Sequence, residues 1–223
     1  LLILSDSNGV TMMNAYSKIY LDDAMSNLAI MLDYAAMAYG DPEVFFDRFL
    51  VSDISKQFGD GSPRYISGMS GVELAERVIE ETGGTPVYAE YRTSGRSANY
   101  WTGWALAYLQ WYTGYSFEKI KDWGITIPCL LSLYPTHHEA DITKLIDTAS
   151  EIISESQHKN LNPLKRQRMS ARLTQLELAQ KSGVKLRMIQ AYEQNYQDIT
   201  KAEVGTMLRL ARTLSCNIED LLT

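Results

Sequence analysis

The feature that most constrains the fold is a run of helix start and stop signals between residues 162 and 194. Thr174, followed three residues later by Glu177, has the pattern of a capping box and predicts that a helix begins at the next residue. Gly183 supplies the left-handed backbone conformation in which helices commonly end, so this helix is predicted over 175–182. A third helix, predicted over 186–194, follows after only two further residues. The two helices must therefore cross at close range.

Helices on either side of this pair complete a small domain. A first helix is predicted over 163–171 with Asn162 as its cap, a fourth over 201–214 and a short fifth over 218–222. Ala179 is the small residue needed where the second and third helices cross. The residues expected to form the shared core are Leu178, Val184 and Ile189. The residues expected on the inner face of the fourth helix are Val204, Leu208 and Ala211.

This segment resembles the phage-repressor/Cro-like (XRE-type) helix-turn-helix family. The resemblance is carried by the run LTQLELAQKSGV at 173–184, by Ile189 and Tyr192-Glu193, and by the closing residues 210–214 and 218–222. It covers about 60 residues and matches the helix lengths, the turn chemistry and the order of five helices. It implies a lambda-repressor-like DNA-binding domain whose third helix is seated in the major groove of double-stranded DNA.

The resemblance also assigns roles to individual side chains. Gln175 matches a position that anchors the family on a phosphate. Arg187 can present two donors to guanine O6 and N7, and Gln190 can pair with adenine. Leu186 departs from the polar residue often found at its position and could instead contact a thymine methyl group. The positions that match the groove-facing residues of the family are Lys185, Leu186, Arg187, Gln190 and Ala191.

Two other sets of charged residues have different expected roles. The resemblance implies that Arg168 and Glu193 form an ion pair that ties the first helix to the third, which makes them a structural clamp and not a base-reading contact. Lys165, Arg166 and Lys201 are candidates for contacts with the DNA backbone. Each is equally well explained as a solvated surface charge, because phosphate contacts have no sequence signature.

The charge of the chain is divided unevenly. Its net charge is −6, but residues 159–223 hold 11 Lys and Arg against 6 Asp and Glu, whereas residues 1–158 hold 10 against 21. This asymmetry indicates a basic DNA-binding domain joined to an acidic module. DNA phosphates would repel the acidic module, so we expect it to lie away from the duplex. The polar stretch 154–163 lies where the sign changes. The predicted domains are therefore 1–155 and 163–223, with 156–162 as a linker or as the tail of the preceding helix.

The acidic module is predicted to be mostly helical, so the whole chain is expected to be all-α. Apolar spacing predicts a helix over 22–39 that stops at Gly40, and Asp41-Pro42 is typical of the start of the next. Ser70 and Glu73 form a second capping-box pattern. A last helix is predicted over 138–153.

An aromatic helix is expected over 100–115. Trp101, Trp104, Tyr108 and Trp111 follow one another at intervals of three, four and three residues, which places them on one face. The preferred interpretation is a buried core or a subunit interface. Stacking on single-stranded bases is the alternative, but the neighbourhood is acidic and lacks interleaved basic residues.

Several function classes find no support. His137, His138 and Glu139 with Asp141 lack two ligands at helical i, i+4 spacing, so a metal site is not expected. There is no Gly-x-Ser-x-Gly nucleophile motif and no phosphate-binding glycine loop, so neither catalysis nor a cofactor is expected. No apolar run approaches the roughly 20 residues of a membrane span. The chain has only two cysteines, which favours the cytoplasm.

Two functions fit these observations. The first is a transcriptional regulator, in particular a repressor, whose N-terminal module dimerises or senses a partner. The second is an antitoxin whose N-terminal module neutralises a protein partner while its C-terminal domain represses its own operon. A homodimer held mainly by residues 1–155 is expected, because one recognition helix reads only a few base pairs.

Overall fold

The computed structural model describes residues 14–92, 97–159 and 161–222. These ranges contain α-helices and short 3-10 turns and no strand, so the predicted all-α fold class is confirmed. The chain divides into two compact units, residues 1–153 and 154–223, each with its own hydrophobic core.

The helices up to the end of the first unit share one core. Their bounds are α1 Leu21–Tyr39, α2 Pro42–Val51, α3 Asp53–Gly59, α4 Pro63–Ile66, α5 Gly71–Glu81, α6 Ala98–Thr113, α7 Phe117–Asp122, α8 Ile127–His137 and α9 Ile142–Lys159. Helix α1 ends at Gly40 as predicted, with a φ of +91° at that residue. The predicted cap at Asp41 and the capping box of Ser70 with Glu73 are both present.

Helix α1 is the centre of the first unit, and two glycines let its neighbours approach it closely. A Cβ atom on Gly71 of α5 would lie 2.4 Å from the carbonyl oxygen of Asn27, and one on Gly103 of α6 would lie 2.4 Å from that of Leu28. Both distances are far below van der Waals contact. Residues without a Cβ atom are therefore required where α5 and α6 pack on α1.

A buried carboxylate ties α1, α5 and the chain that follows α5 together. Glu76 is 3% exposed and accepts hydrogen bonds from the hydroxyls of Tyr34 and Tyr39 and from the amides of Val87 and Tyr88. Burial alone would raise the pKa of Glu76, but these four donors hold it below its usual range. The irregular chain after α5 is thereby fixed on the helices.

The aromatic residues of α6 pack against this core, as the preferred interpretation required. Trp101 and Trp111 are buried, and Trp104 and Tyr108 are partly buried. The rings of Trp104, Tyr108 and Tyr112 stack in sequence, with centroids 6.5 Å and 6.0 Å apart and planes within 13° of each other.

The end of the first unit differs from the prediction. The helix predicted over 138–153 begins at Ile142, because His137 still belongs to α8 and the side chain of Asp141 accepts the amide of Thr143 at 2.9 Å. Helix α9 continues to Lys159, so the first four residues of the segment 156–162 are helical. The segment was predicted to be either a linker or the tail of the preceding helix, and residues 156–159 are the tail of α9.

The second unit holds four α-helices among its described residues. They are α10 Pro163–Ser170, α11 Gln175–Ser182, α12 Leu186–Glu193 and α13 Val204–Leu214. Two 3-10 turns, Ile199–Lys201 and Glu219–Leu221, flank α13. The core is formed by Leu164, Leu178, Val184, Ile189, Tyr192, Ile199, Leu210, Ala211, Leu214 and Leu221.

Two predictions for this unit were wrong. The fourth helix starts at Val204, three residues later than predicted, whereas the predicted short fifth helix is present as the 3-10 helix Glu219–Leu221. Val204 and Leu208, predicted to face inward, are 67% and 38% exposed. The face of α13 that is buried instead carries Met207, Leu210 and Leu214 together with Ala211. Both faces have apolar residues at helical spacing, so periodicity alone could not separate them.

Two glycines of this unit should respond to alanine in opposite directions. Gly183 has a φ of +68°, so Gly183→Ala should lower the free energy of unfolding by about 1 kcal/mol. Gly205 belongs to α13, and a Cβ atom added there would have no neighbour within 4 Å. Gly205→Ala should therefore raise the free energy of unfolding by about 1 kcal/mol. Denaturant unfolding of the two variants beside the wild type measures both changes. Equal signs would contradict the assigned backbone conformations.

None of the helices in the described ranges has both the length and the apolar character that crossing a membrane requires.

Candidate DNA interface

The tight turn between α11 and α12 is built by local chemistry. Thr174 and Glu177 cap α11 reciprocally, with Glu177 N donating to Thr174 Oγ1 at 3.1 Å and Thr174 N donating to Glu177 Oε2 at 2.7 Å. Gly183 ends the helix and donates its amide to the carbonyl of Ala179 at 2.9 Å. Ser182 Oγ accepts the amide of Val184 at 3.2 Å, which satisfies the backbone within the turn. The bounds of α11 agree with those predicted from the sequence.

Asn162 holds the start of α10 against the end of α12. Its Oδ1 atom caps α10 by accepting the amides of Leu164 and Lys165. Its Nδ2 atom donates to the carbonyl oxygen of Tyr192 at 3.0 Å and to Asn195 Oδ1 at 2.7 Å. Sequence reasoning identified Asn162 only as a cap. Its second role was not predicted, because it depends on partners about 30 residues away.

A buried ion pair joins the same two helices. Arg168 donates through Nε to Glu193 Oε1 at 2.6 Å and through Nη2 to Oε2 at 2.9 Å, a bidentate arrangement. The side chains of Arg168 and Glu193 are 12% and 2% exposed. Arg168 Nη1 also donates to the carbonyl oxygen of Leu173 at 2.7 Å. Both carboxylate oxygens of Glu193 are therefore committed to the clamp, so that its charge is neutralised inside the domain.

Gln175 is part of this clamp. Its Nε2 atom donates to Glu193 Oε2 at 2.8 Å, which fixes the orientation of the amide at the start of α11. An Nε2 group carries two hydrogens, so this contact uses one donor and leaves a second for another acceptor. A fixed amide donor at a helix start suits an anionic oxygen.

The outer face of α12 carries the residues that the sequence assigned to the groove. Lys185 and Arg187 are exposed, whereas Leu186, Gln190 and Ala191 are half-buried. The opposite face of the helix is buried through Ile189, Tyr192 and Glu193. Helix α12 therefore presents two basic side chains at its N-terminal end while its inner face fixes its rotation.

The three candidates for backbone contacts occupy different positions. Lys165 and Arg166 lie on α10 and are half-buried. Lys201 is exposed and sits in the 3-10 turn before α13, where its Nζ atom lies 3.6 Å from Asp198 Oδ2. This exposed pair is only weakly stabilising, because water screens both charges.

Comparison with known proteins agrees with this geometry. Residues 164–221 match the sequence model of the family described as Helix-turn-helix. They form an XRE-type helix-turn-helix domain. The helix-turn-helix domain makes the protein a DNA-binding protein, with α11 and α12 as the two helices of the motif. Comparisons with curated proteins and with solved structures give no match to the chain.

Proposed function

We propose that the protein is a sequence-specific transcriptional regulator that acts as a repressor, through binding and not through catalysis. The observation that carries this proposal is the outer face of α12 in the helix-turn-helix domain, where Lys185 and Arg187 are exposed on a helix locked by a buried inner face. A helix with basic side chains at its N-terminal end and an amide at Gln190 matches the donor and acceptor pattern of the major groove.

The side chains divide between reading bases and contacting phosphates. Arg187 and Gln190 carry the sequence preference, because their planar donor groups can pair with guanine and adenine edges. Leu186 and Ala191 offer apolar contact to a thymine methyl group. Gln175 binds a phosphate through the amide hydrogen that Glu193 does not use. Clamping Gln175 to Glu193 sets the register of the domain on the duplex.

A reporter assay tests repression. A promoter that overlaps a selected binding site should be transcribed less when the full-length protein is present, and Arg187→Ala should restore transcription. Arg212→Ala removes the same charge from an exposed position on α13 and serves as the matched control. If transcription instead rises in the presence of the wild-type protein, the result would contradict repression and indicate an activator.

The proposal includes a homodimer held mainly by residues 1–155. Two recognition helices about 34 Å apart along the duplex are needed to read a site long enough to be found in a genome. The first unit, residues 1–153, is longer than the second, residues 154–223, and has its own core. Its aromatic helix contributes at most the partly buried Trp104, Tyr108 and Tyr112, because Trp101 and Trp111 are buried in the core.

Sedimentation measures the dimer directly. We expect the full chain and a 1–158 fragment to sediment as dimers at tens of micromolar, whereas a 159–223 fragment sediments as a monomer. A monomeric 1–158 fragment would contradict the assignment of the interface to the first unit. A stable complex with a second protein in place of the dimer would favour the antitoxin alternative.

A further inference from the structure

Two sequence features that DNA binding does not use meet at one cavity of the first unit. The aromatic start of α6 forms one wall, and the segment from His137 to Asp141, between α8 and α9, forms another. The cavity has a volume of about 190 Å³. The residues on which the argument depends are Tyr100, Trp101, Trp104, His138, Asp141 and Leu145.

The aromatic wall is held in place by its neighbours. Trp104 stacks on Tyr108, with centroids 6.5 Å apart and planes 13° from parallel. Trp101 is 9% exposed and meets the ring of Tyr134 edge to face at 5.9 Å. Tyr134 in turn stacks on His138 at 4.5 Å. The rings of Trp101 and Trp104 are therefore positioned before any ligand arrives.

The charge beside these rings is negative. Asp141 Oδ1 accepts hydrogen bonds from the amide of Thr143 at 2.9 Å and from its hydroxyl at 2.7 Å. Neither of these bonds uses Oδ2. These hydrogen bonds hold the pKa of Asp141 below its usual range, and the carboxylate is charged at neutral pH. The pKa of Tyr108 is raised by burial and, to a smaller extent, by the charges of Tyr112 and Asp141.

The side chain of Lys144, which is close to Asp141 in the chain, is hydrogen-bonded elsewhere. Lys144 Nζ donates to the carbonyl oxygen of Thr136 at 2.8 Å, and Lys144 is not among the residues that line the cavity. Glu139, beside His138, adds a second carboxylate to the same loop, with Oε1 3.6 Å from His138 Nε2. Glu139, like Lys144, does not line the cavity, so a ligand there would meet one carboxylate, that of Asp141, beside the aromatic rings.

We propose that this cavity binds a compact organic cation bearing a quaternary ammonium group. The faces of Trp and Tyr rings attract such a group through their quadrupoles, and Asp141 balances its charge. Trp101, Trp104 and Tyr100 supply the aromatic rings that line the cavity, and Leu145 adds apolar surface. The site lies entirely within the first unit, so its occupancy can be measured without DNA.

Titration of the full-length protein tests the proposal. Choline and tetramethylammonium are the probes, and 3,3-dimethylbutan-1-ol is the neutral isostere of choline. Tryptophan fluorescence and calorimetry should show saturable binding of both cations and binding of the isostere at least about tenfold weaker. Absence of saturable binding of both cations, or equal binding of the isostere, would overturn the proposal.

Two substitutions locate the site. Asp141→Asn keeps an acceptor for Thr143 but removes the charge, and should weaken choline binding by about fivefold or more. Asp198→Asn is the matched control, because Asp198 caps Thr200 in the same way at 3.0 Å and 2.7 Å in the second unit. It should leave choline binding unchanged. Thermal melting shows whether each variant is folded. If the Asp141→Asn variant is folded and binds choline as tightly as the wild type, the proposal is overturned.

Discussion

Replacing Glu193 with alanine should lower the free energy of unfolding of the helix-turn-helix domain by about 3–5 kcal/mol. Glu193 is 2% exposed at its side chain and accepts from both Arg168 and Gln175. Its removal leaves the guanidinium of Arg168, itself 12% exposed, without an opposite charge. An unpaired buried charge costs far more than the pair contributes.

A double-mutant cycle distinguishes this explanation from a loss of packing. Denaturant unfolding of the 159–223 fragment should show that Arg168→Ala with Glu193→Ala costs less than the sum of the single changes. The exposed pair Asp198 and Lys201, with 47% and 82% of their side chains exposed, is the control and should show no measurable coupling. Additive losses at Arg168 and Glu193 would contradict the clamp.

Arg187→Ala should weaken binding to a selected DNA site by about 1–3 kcal/mol while leaving binding to random DNA nearly unchanged. Arg187 is exposed on the outer face of α12, and a guanidinium there can form two hydrogen bonds with guanine. Such a contact is made only on the correct base, so its loss affects the specific complex.

Titrations at fixed salt concentration on both DNAs measure this difference. Arg212→Ala, an exposed position on α13, controls for the loss of one positive charge and should not reduce specific binding preferentially. Equal losses on both DNAs for Arg187→Ala would assign Arg187 to the phosphate backbone.

Local chemistry made the motif itself predictable from the sequence. Thr174, Glu177 and Gly183 act within one or two helical turns of α11, so its bounds follow from residues that are adjacent in the chain. The buried face of α13 depends instead on the shape of the core that it meets. Val204 and Leu208 fit a helical spacing as well as the buried residues do, and they are exposed.

Apart from the Arg168–Glu193 pair, which the family resemblance implied, long-range partners could not be predicted, because they also depend on how distant helices pack. Glu76 lies on an amphipathic helix like many solvated glutamates, but it is buried because Tyr34 and Tyr39, 42 and 37 residues away, donate to it. The cavity at α6 was also not predicted. It depends on the point where α8 ends, and His138 remains attached to α8 through Nδ1, which lies 2.8 Å from the carbonyl oxygen of Tyr134.

Selection of binding sites from random double-stranded DNA by the full-length protein tests the central claim most directly. We expect enrichment of a motif with two related half-sites whose centres lie about 10 base pairs apart, one helical turn. The Arg187→Ala variant should lose the preference for guanine at one position in each half-site. Recovery of DNA with no enriched motif would contradict sequence-specific recognition by α12.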